Sequence, residues 1–143
     1  MMDMLTTLIS RLHATGCSLV LASSAGHIVE CRRRGVADLL QMLHKQPELL
    51  NGATIADKVV GKGAAALMVL GGVTRVWADV ISRPALALLE ASGVTVEYGK
   101  LVDNILNRRA DGFCPVETLC LPCATAEECL PLIENFAASL KEK

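Results

Sequence analysis

The run Ala64–Leu70 limits the fold more than any other stretch of the chain, because Ala-Ala-Ala-Leu-Met-Val-Leu is apolar on every side of a helix. A helix of this kind lies buried between other elements. The surrounding sequence predicts a helix over about residues 55–71, with Thr54 and Asp57 spaced like a capping box. Such a helix requires a layered domain around it. A chain of 143 residues that is 52% hydrophobic can form one such core, and it is short for two domains.

Three elements are predicted before this helix. Residues 1–16 form a peripheral helix that Gly16 ends, and its apolar stripe falls at i, i+3, i+4 and i+7: Leu5, Leu8, Ile9 and Leu12. The β-rich segments Cys17–Ala22 and His27–Arg32, joined by turn residues, predict an antiparallel hairpin. A second amphipathic helix is predicted from Gly35 to Pro47.

Strands and helices alternate in the second half of the chain. The predicted elements are a strand Val73–Val80, a helix that Ser82 caps and that has Pro84 near its start, a strand Val94–Tyr98 and a short helix Leu101–Asn107. The last helix, residues 125–143, begins with a Thr-Ala-Glu-Glu capping box, and Pro131 predicts a kink or a late start. A hairpin followed by alternating elements predicts a single α/β domain over residues 1–143, with a mixed sheet.

Charge and composition exclude several classes of function. Fourteen Lys and Arg against fifteen Asp and Glu leave a formal charge of −1, and aromatic residues are only 3%, so we expect no nucleic-acid binding. The longest apolar stretch is about ten residues, whereas a membrane helix needs roughly 20, so we expect no membrane span. The N-terminus lacks the pattern of a secretory signal, and the six cysteines accompany an ample aliphatic core. These features predict a cytoplasmic protein with reduced thiols.

The segment Asp57–Ala66 is the first candidate for a site. In the predicted helix, Lys58 and Lys62 are four residues apart and therefore neighbours on one face. Glycines at 61 and 63 each cost about 1 kcal/mol relative to alanine in a helix, so they indicate a close approach of another helix or of a ligand. Lysines near a helix start suit an anion or a phosphate. The alternative is tight packing at Gly61, with the lysines solvated at the rim.

The segment Asn107–Glu117 is the second candidate. Cys114, Pro115 and Glu117 stand where the N-cap, N1 and N3 residues of a short helix would stand. Thiols at helix N-termini are better nucleophiles and metal ligands than free thiols, and Arg108 nearby could hold an anion. The alternative is a structural cap, with Cys114 buried as a small apolar residue.

The third candidate is a group of four cysteines: Cys114, Cys120, Cys123 and Cys129. Four thiolates could hold zinc, and the pair Cys120-Leu-Pro-Cys123 could cycle between thiol and disulfide. A second CxxC pair is missing, and the pair does not follow a first strand as a thioredoxin motif does. Thiols without a chemical role are the third interpretation.

The first two segments together resemble a known family. The matching residues are Asp57-Lys-Val-Val-Gly-Lys-x-Ala-Ala-Ala66 and, after a strand, a helix and a strand, Asn107-Arg-x-x-x-Gly-x-Cys-Pro-x-Glu117. In this order they resemble an uncharacterised bacterial and archaeal domain of unknown function, which is grouped by fold with the cytidine deaminases. The resemblance covers about residues 17–117. It implies a three-layer α/β/α, cytidine deaminase-like fold with a mixed five-stranded sheet.

The residues of zinc deaminases do not accompany this resemblance. Those enzymes need His or Cys two residues before a catalytic Glu, and Pro-Cys-x-x-Cys on the next helix. Here the first position is Gly61-Lys-Gly63, and Ala126 stands where the last cysteine after Cys123 would be. We therefore expect no metal, no cofactor and no classical deamination. The implied fold leaves a concave site where helix N-termini meet strand ends.

These observations predict a zinc-independent site for a nucleotide or a phosphorylated small metabolite. The residues expected to converge there are Asp57, Lys58, Lys62, Asn107, Arg108, Cys114 and Glu117. Lysines and arginine would hold phosphate, with Asn107 among the binding residues, and Cys114, Glu117 and Asp57 would act in any reaction. The alternatives are a non-catalytic regulatory or interaction domain and a cysteine-based metal or redox module. The apolar composition and the resemblance also predict a homodimer or higher homo-oligomer.

Overall fold

The computed structural model describes residues 3–33, 36–106 and 112–141. Its elements are, in chain order, α1 (Met4–Thr15), β1 (Leu19–Ala22), β2 (Ile28–Cys31), α2 (Ala37–Lys45), α3 (Pro47–Leu50), β3 (Thr54–Val60), α4 (Lys62–Gly71), β4 (Arg75–Ser82), α5 (Arg83–Ala91), β5 (Thr95–Val102), α6 (Pro115–Cys120) and α7 (Ala126–Lys141). Within these ranges, no helix is both long and apolar enough to cross a membrane.

The strands form one mixed sheet in the order β2-β1-β3-β4-β5. β1 is antiparallel to both β2 and β3, whereas β3, β4 and β5 are parallel to one another. The predicted N-terminal hairpin is therefore confirmed, with Leu19 opposite Cys31 and Ala22 opposite Ile28. Two helical crossovers, α4 and α5, connect the parallel strands, as parallel pairing requires. The fold is α/β.

Helices cover both faces of the sheet. On one face, Leu8 and Leu12 of α1 form a buried cluster with Val20, Ala22 and Ala56. On the other face, α2, α4, α5 and α7 contribute to a larger cluster that includes strand residues Ile55 and Val76. α4 contacts α2, α5, α6 and α7, and its side chains are buried almost throughout. The expectation from the all-apolar run is confirmed.

The predicted helix over residues 55–71 is wrong in its first half, because residues 54–60 form β3. This strand lies between two others and under helices on both faces, so its apolar residues do not alternate simply and resemble a helix. Gly61, in extended conformation, separates the strand from α4. Thr54 and Asp57 consequently form no capping box, and Lys58 and Lys62 do not share a helical face.

The predicted short helix over residues 101–107 is also wrong. β5 continues to Val102, which pairs with Ser82 at the end of β4, so ladder hydrogen bonds override the local preference. Asn107 lies outside the described residues. For the last helix, a kink or a late start was predicted at Pro131; the late start is wrong, since α7 begins at Ala126 and includes Pro131. Its capping box is confirmed: Thr125 Oγ1 accepts from Glu128 N at 3.2 Å, and Glu128 Oε1 accepts from Thr125 N at 3.2 Å.

We predict that Gly63→Ala destabilises the protein although alanine is the better helix former. A Cβ at Gly63 would overlap Cγ1 of Val116 on α6. Overpacking costs about 1–3 kcal/mol, which exceeds the gain of up to about 1 kcal/mol in helix propensity. Urea denaturation should give a loss of about 1–2 kcal/mol. Ser10→Ala, on the exposed side of α1, is the control and should cost nothing; equal stability of the two variants would refute the packing account.

Candidate functional site

The carboxylate of Glu117 lies at the meeting point of three chain segments. Glu117 is the third residue of α6 and only 2% exposed. Its Oε2 accepts from the backbone N–H of Lys62 at 2.7 Å and from the hydroxyl of Ser82. Its Oε1 accepts from the backbone N–H of Ile105 at 2.6 Å. One buried side chain thus bonds to donors from α4, from the end of β4 and from the segment after β5.

Two of these donors stand at helix starts. Lys62 is the first residue of α4, and Ser82 is the N-cap of α5, where its Oγ also accepts from Ala85 N at 3.2 Å. Helix N-termini attract negative charge, which offsets part of the cost of burying an anion. The anion position predicted at the start of α4 is therefore filled by the carboxylate of Glu117.

The side chain of Lys62 is buried and bound within the protein. Its Nζ donates to the carbonyl oxygen of Leu121 at 3.0 Å and to that of Cys123 at 2.6 Å, and the residue is 9% exposed. These carbonyls follow the C-terminal end of α6, where a cation is favoured. Lys62 is therefore not solvated at the rim, as one interpretation of the sequence had it. The close approach expected at the glycines is made by Glu117, whose Oε2 would lie 3.2 Å from a Cβ at Gly61.

The structure brings only part of the predicted set together. Lys62 and Glu117 are in direct contact, and Cys114 is the half-buried N-cap of the same helix α6, as predicted. Asp57 and Lys58 lie further back on β3. Asn107 and Arg108 fall outside the described residues.

Asp57 is a buried carboxyl in the middle of the sheet. It is 8% exposed, stands opposite Leu19 of β1, and its Oδ1 accepts from the backbone N–H of Val59 at 3.3 Å. Burial raises the pKa of Asp57 to about 7; the backbone N–H groups of Val59 and Lys58 act against this rise, and the charge of Asp79 adds to it. Leu19 packs into the larger cluster, and residues that stand opposite each other in a sheet point to the same face. The carboxyl of Asp57 therefore points to the face of the sheet that the larger cluster covers.

The three parallel strands share a shift in the direction of their side chains. The residues that pack into the larger cluster are five apart in each strand: Ile55 and Val60, Val76 and Ile81, Val96 and Leu101. In a regular strand, residues on the same face are an even number of positions apart. A spacing of five therefore means that the alternation of side chains between the two faces has shifted by one residue. The shift occurs at Lys58, Asp79 and Gly99, where the series of paired residues between β3 and β4 and between β4 and β5 is interrupted. Gly99 permits it, since a Cβ there would lie 3.0 Å from Asp79 O.

Because of this shift, a row of three side chains points away from the larger cluster. Val59, Val80 and Lys100 are direct neighbours across β3, β4 and β5. They form the floor of a groove of about 610 Å³ at the carboxyl ends of these strands. The other lining residues are Val102, Asp103, Asn104, Ile105, Leu106 and Phe113. Ile105 connects the groove to Glu117, because its N–H is the one that Glu117 Oε1 accepts.

A histidine–carboxylate pair on the α1 face was missed in the sequence. His13 Nε2 lies 2.9 and 3.0 Å from the two carboxylate oxygens of Asp79, and Trp77 Nε1 donates to the same carboxylate at 2.7 Å. His13 and Asp79 are 66 positions apart, so no spacing in the sequence indicates the pair. Asp79 immediately precedes the floor residue Val80.

Of the predicted cysteine group, Cys120, Cys123 and Cys129 lie at the corner between α6 and α7, whereas Cys114 lies at the other end of α6. Burial raises the pKa values of Cys120 and Cys129, and the neighbouring thiols, including that of Cys123, contribute to these shifts. Cys120 and Cys129 are fully buried, whereas Cys123 is half-buried. Across the described parts of the chain, no set of three or more His, Cys, Asp or Glu side chains is arranged to hold a metal ion.

Comparison with known proteins agrees with this fold. The model of a family described as "Domain of unknown function (DUF1893)", TM1506, matches residues 7–137. The chain belongs to the DUF1893 family. A DUF1893 family protein from Thermotoga maritima, TM1506, has a crystal structure at 2.70 Å resolution that is similar, with a TM-score of 0.82 and 25% identity over 92% of this chain and 88% of that one. No curated protein matches significantly. The resemblance to an uncharacterised domain family is thereby confirmed.

We predict that Glu117→Gln lowers stability by about 2–4 kcal/mol, because the amide keeps the shape but places N–H groups against donors. Thermal and urea unfolding of the purified protein measure the loss. Glu90→Gln, at an exposed position of α5, is the control and should change stability by no more than about 0.5 kcal/mol. Similar small effects of both substitutions would show that the three hydrogen bonds do not organise the fold.

Asp57 should make the protein less stable as the pH rises. Its pKa is about 7 in the folded protein and near the ordinary value of 3.8 in the unfolded chain, so between these values the folded state holds a proton that the unfolded state has lost. Stability therefore falls from about pH 4 to pH 7, by at most about 4 kcal/mol, through this group.

Urea titrations of wild type and Asp57→Asn at several pH values isolate this contribution, since other carboxyl groups are common to both. The stability of Asp57→Asn relative to wild type should rise over the same interval and level off above pH 7. Asp103→Asn, whose carboxyl is exposed, is the control and should run parallel to wild type. A pH-independent difference between Asp57→Asn and wild type would contradict the raised pKa.

Proposed function

We propose that this DUF1893 protein binds a nucleotide-like or phosphorylated small molecule, without a metal ion, in the groove at the carboxyl ends of β3, β4 and β5. The observation that carries the proposal is the row of Val59, Val80 and Lys100 on the groove floor. Ligands of open α/β sheets bind outside the carboxyl ends of the strands. A volume of about 610 Å³ lies within the range of small-molecule sites.

The lining suits a ligand with an apolar ring and an anionic group. Val59 and Val80 of the floor and the lining residue Val102 offer an apolar surface, and Phe113 at the rim offers an aromatic face for stacking. The ammonium group of Lys100 supplies a cation for phosphate, and Asn104 supplies an amide that both donates and accepts hydrogen bonds.

In this proposal the motif residues support the groove and carry out no reaction. Glu117 holds the wall residue Ile105, and Lys62 holds both Glu117 and the end of α6. The oxygens of Glu117 already accept three hydrogen bonds. Asp57 lies on the opposite side of the sheet from the floor. Asn107 and Arg108 have no part in the proposal.

We also propose that the fold is three-layered and cytidine deaminase-like. The mixed five-stranded sheet, with α1 on one face and the remaining helices on the other, supports this assignment. Because ligand position follows from architecture in α/β proteins, the assignment agrees with a site at the carboxyl ends of the parallel strands.

A non-catalytic interaction domain is the second candidate function, and the groove rim favours it. Phe113 is 62% exposed and Leu106 52% exposed, which places two large apolar side chains in solvent. Apolar surface of this kind often marks an interface. A second copy of the chain is the simplest partner, in line with the expected homodimer.

A thermal-shift screen tests the ligand proposal. The probes are the four common ribonucleoside 5′-monophosphates, ribose 5-phosphate and inorganic phosphate. We expect at least one organic phosphate to raise Tm by several degrees near saturation. Lys100→Gln should weaken its affinity about fivefold to tenfold, because an exposed charge–phosphate contact contributes about 1 kcal/mol.

Lys45→Gln, at the exposed end of α2, is the matched control and should leave the affinity unchanged. The absence of any shift, or a shift that Lys100→Gln does not alter, would count against the groove as a phosphate site. Absence of a shift together with concentration-dependent sedimentation would favour the interaction domain.

A further inference from the structure

The sheet ends on one side in a long strand whose outer edge is open. β5 is the last strand of the sheet next to β4, and in the part of the chain that the structure describes no further strand pairs with it. It has eight residues without a proline, and five of them are exposed. The opposite edge strand, β2, has only four residues. Because an edge strand presents a row of unpaired backbone N–H and C=O groups, β5 is suited to pairing with another strand.

The backbone groups at this open edge belong to residues on one face of β5. The N–H of Thr95 donates to the carbonyl of Thr74 at 3.0 Å, so the backbone groups of Thr95 point to β4. Successive residues of a strand point to alternate edges as well as to alternate faces, so those of Val96 point to the open edge. Val96 and Leu101 both pack into the larger cluster, because the shift at Gly99 brings them to the same face. The backbone groups of Leu101 therefore point to the open edge as well.

The sequence of β5 is complementary to itself in the antiparallel direction. When two copies pair with a twofold axis between Tyr98 and Gly99, the opposing residues are Glu97 and Lys100, Val96 and Leu101, and Thr95 and Val102. Residues that oppose each other across two strands share a face of the sheet. In a regular strand, Val96 and Leu101 would lie on opposite faces, so the shift in β5 is what makes this register available.

The pairs of this register combine hydrogen bonds with opposite charges. Val96 and Leu101 both direct their backbone groups to the edge, so this pair, which occurs twice by symmetry, exchanges both of its N–H···O bonds. Glu97 and Lys100 lie on the other face and form a pair without backbone hydrogen bonds, in which side chains approach most closely. The carboxylate of Glu97 is 51% exposed, and its Oε1 accepts from Arg75 at 3.2 Å. A carboxylate has acceptor capacity for a second cation, and Lys100 of the other copy supplies it.

We propose that two copies of this chain associate through antiparallel pairing of their β5 strands, with Glu97 of each copy against Lys100 of the other. The pairing joins two five-stranded sheets into one continuous sheet. It also places the two grooves side by side, because Lys100 belongs to the floor of each groove. Glu97 of the second copy then borders the groove. The association does not rest on the ligand proposed for the groove.

Sedimentation and cross-linking of the full chain test this pairing. Wild type should sediment as a dimer at micromolar concentration. A carbodiimide, which joins carboxylates directly to neighbouring amines, should link Glu97 to Lys100. In a mixture of isotopically light and heavy chains, the linked peptides should include light–heavy hybrids, which only a link between two copies produces. A monomeric wild type, or links confined to one chain, would overturn the proposal.

A proline at the open edge tests the backbone pairing. Val96→Pro removes an N–H that points away from β4, at the kind of edge position where strands tolerate proline, so the fold should persist while the dimer is lost. Val96→Thr keeps the N–H and is the matched control, which should remain a dimer. Loss of the dimer in Phe113→Ser together with its retention in Val96→Pro would place the interface at the groove rim and contradict the proposal.

Charge reversal tests the register and decides the question if Val96→Pro fails to fold. Lys100→Glu places like charges opposite each other twice, so the dimer should dissociate about tenfold more readily. Adding Glu97→Lys to this variant restores opposite charges and should recover most of the affinity. Glu30→Lys, on the opposite edge strand β2, is the control and should leave association unchanged. Equal association of Lys100→Glu and wild type would refute this register.

Discussion

The three hydrogen bonds accepted by the buried carboxylate of Glu117 are the constraint on which the parallel half of the sheet depends. The three donors belong to three segments at which the chain leaves the sheet: the start of α4, the end of β4 and the segment after β5. Burying an anion costs several kcal/mol unless hydrogen bonds from well-placed donors compensate for its lost hydration. The buried carboxylate is therefore stable only when all three segments are in their native positions. The position of each segment consequently depends on the positions of the other two.

Lys62 makes this coupling reciprocal. Its backbone N–H binds Glu117 near the start of α6, while its ammonium group binds carbonyls at the other end of that helix. A short helix cannot satisfy its terminal groups alone. α6 is held at both ends by a single residue that lies 55 positions before Glu117 in the chain, so the two motif segments depend on each other structurally.

Local signals in the sequence predict some parts of this structure well. The leucine stripe of α1 and the serine cap at Ser82 involve neighbours in the chain, and both appear as predicted. β3 was missed because a strand buried on both faces loses the alternation that identifies strands. The contact between Lys62 and Glu117 could be anticipated only through the family resemblance. The ammonium group of Lys62 binds two backbone carbonyls. Because every residue has a backbone carbonyl, no residue type in the sequence indicates these partners. The groove floor depends on a shift in alternation that involves three strands at once, so no single segment reveals it.

That shift also limits how the chain can evolve. It occupies the same level in β3, β4 and β5, at Lys58, Asp79 and Gly99. An insertion or deletion in one strand would turn its remaining side chains to the wrong face while its two neighbours stayed in place. Changes of length between these residues and the strand ends can therefore persist only if all three strands change together. Natural selection therefore acts on the lengths of these three strands together, rather than on the length of each strand separately.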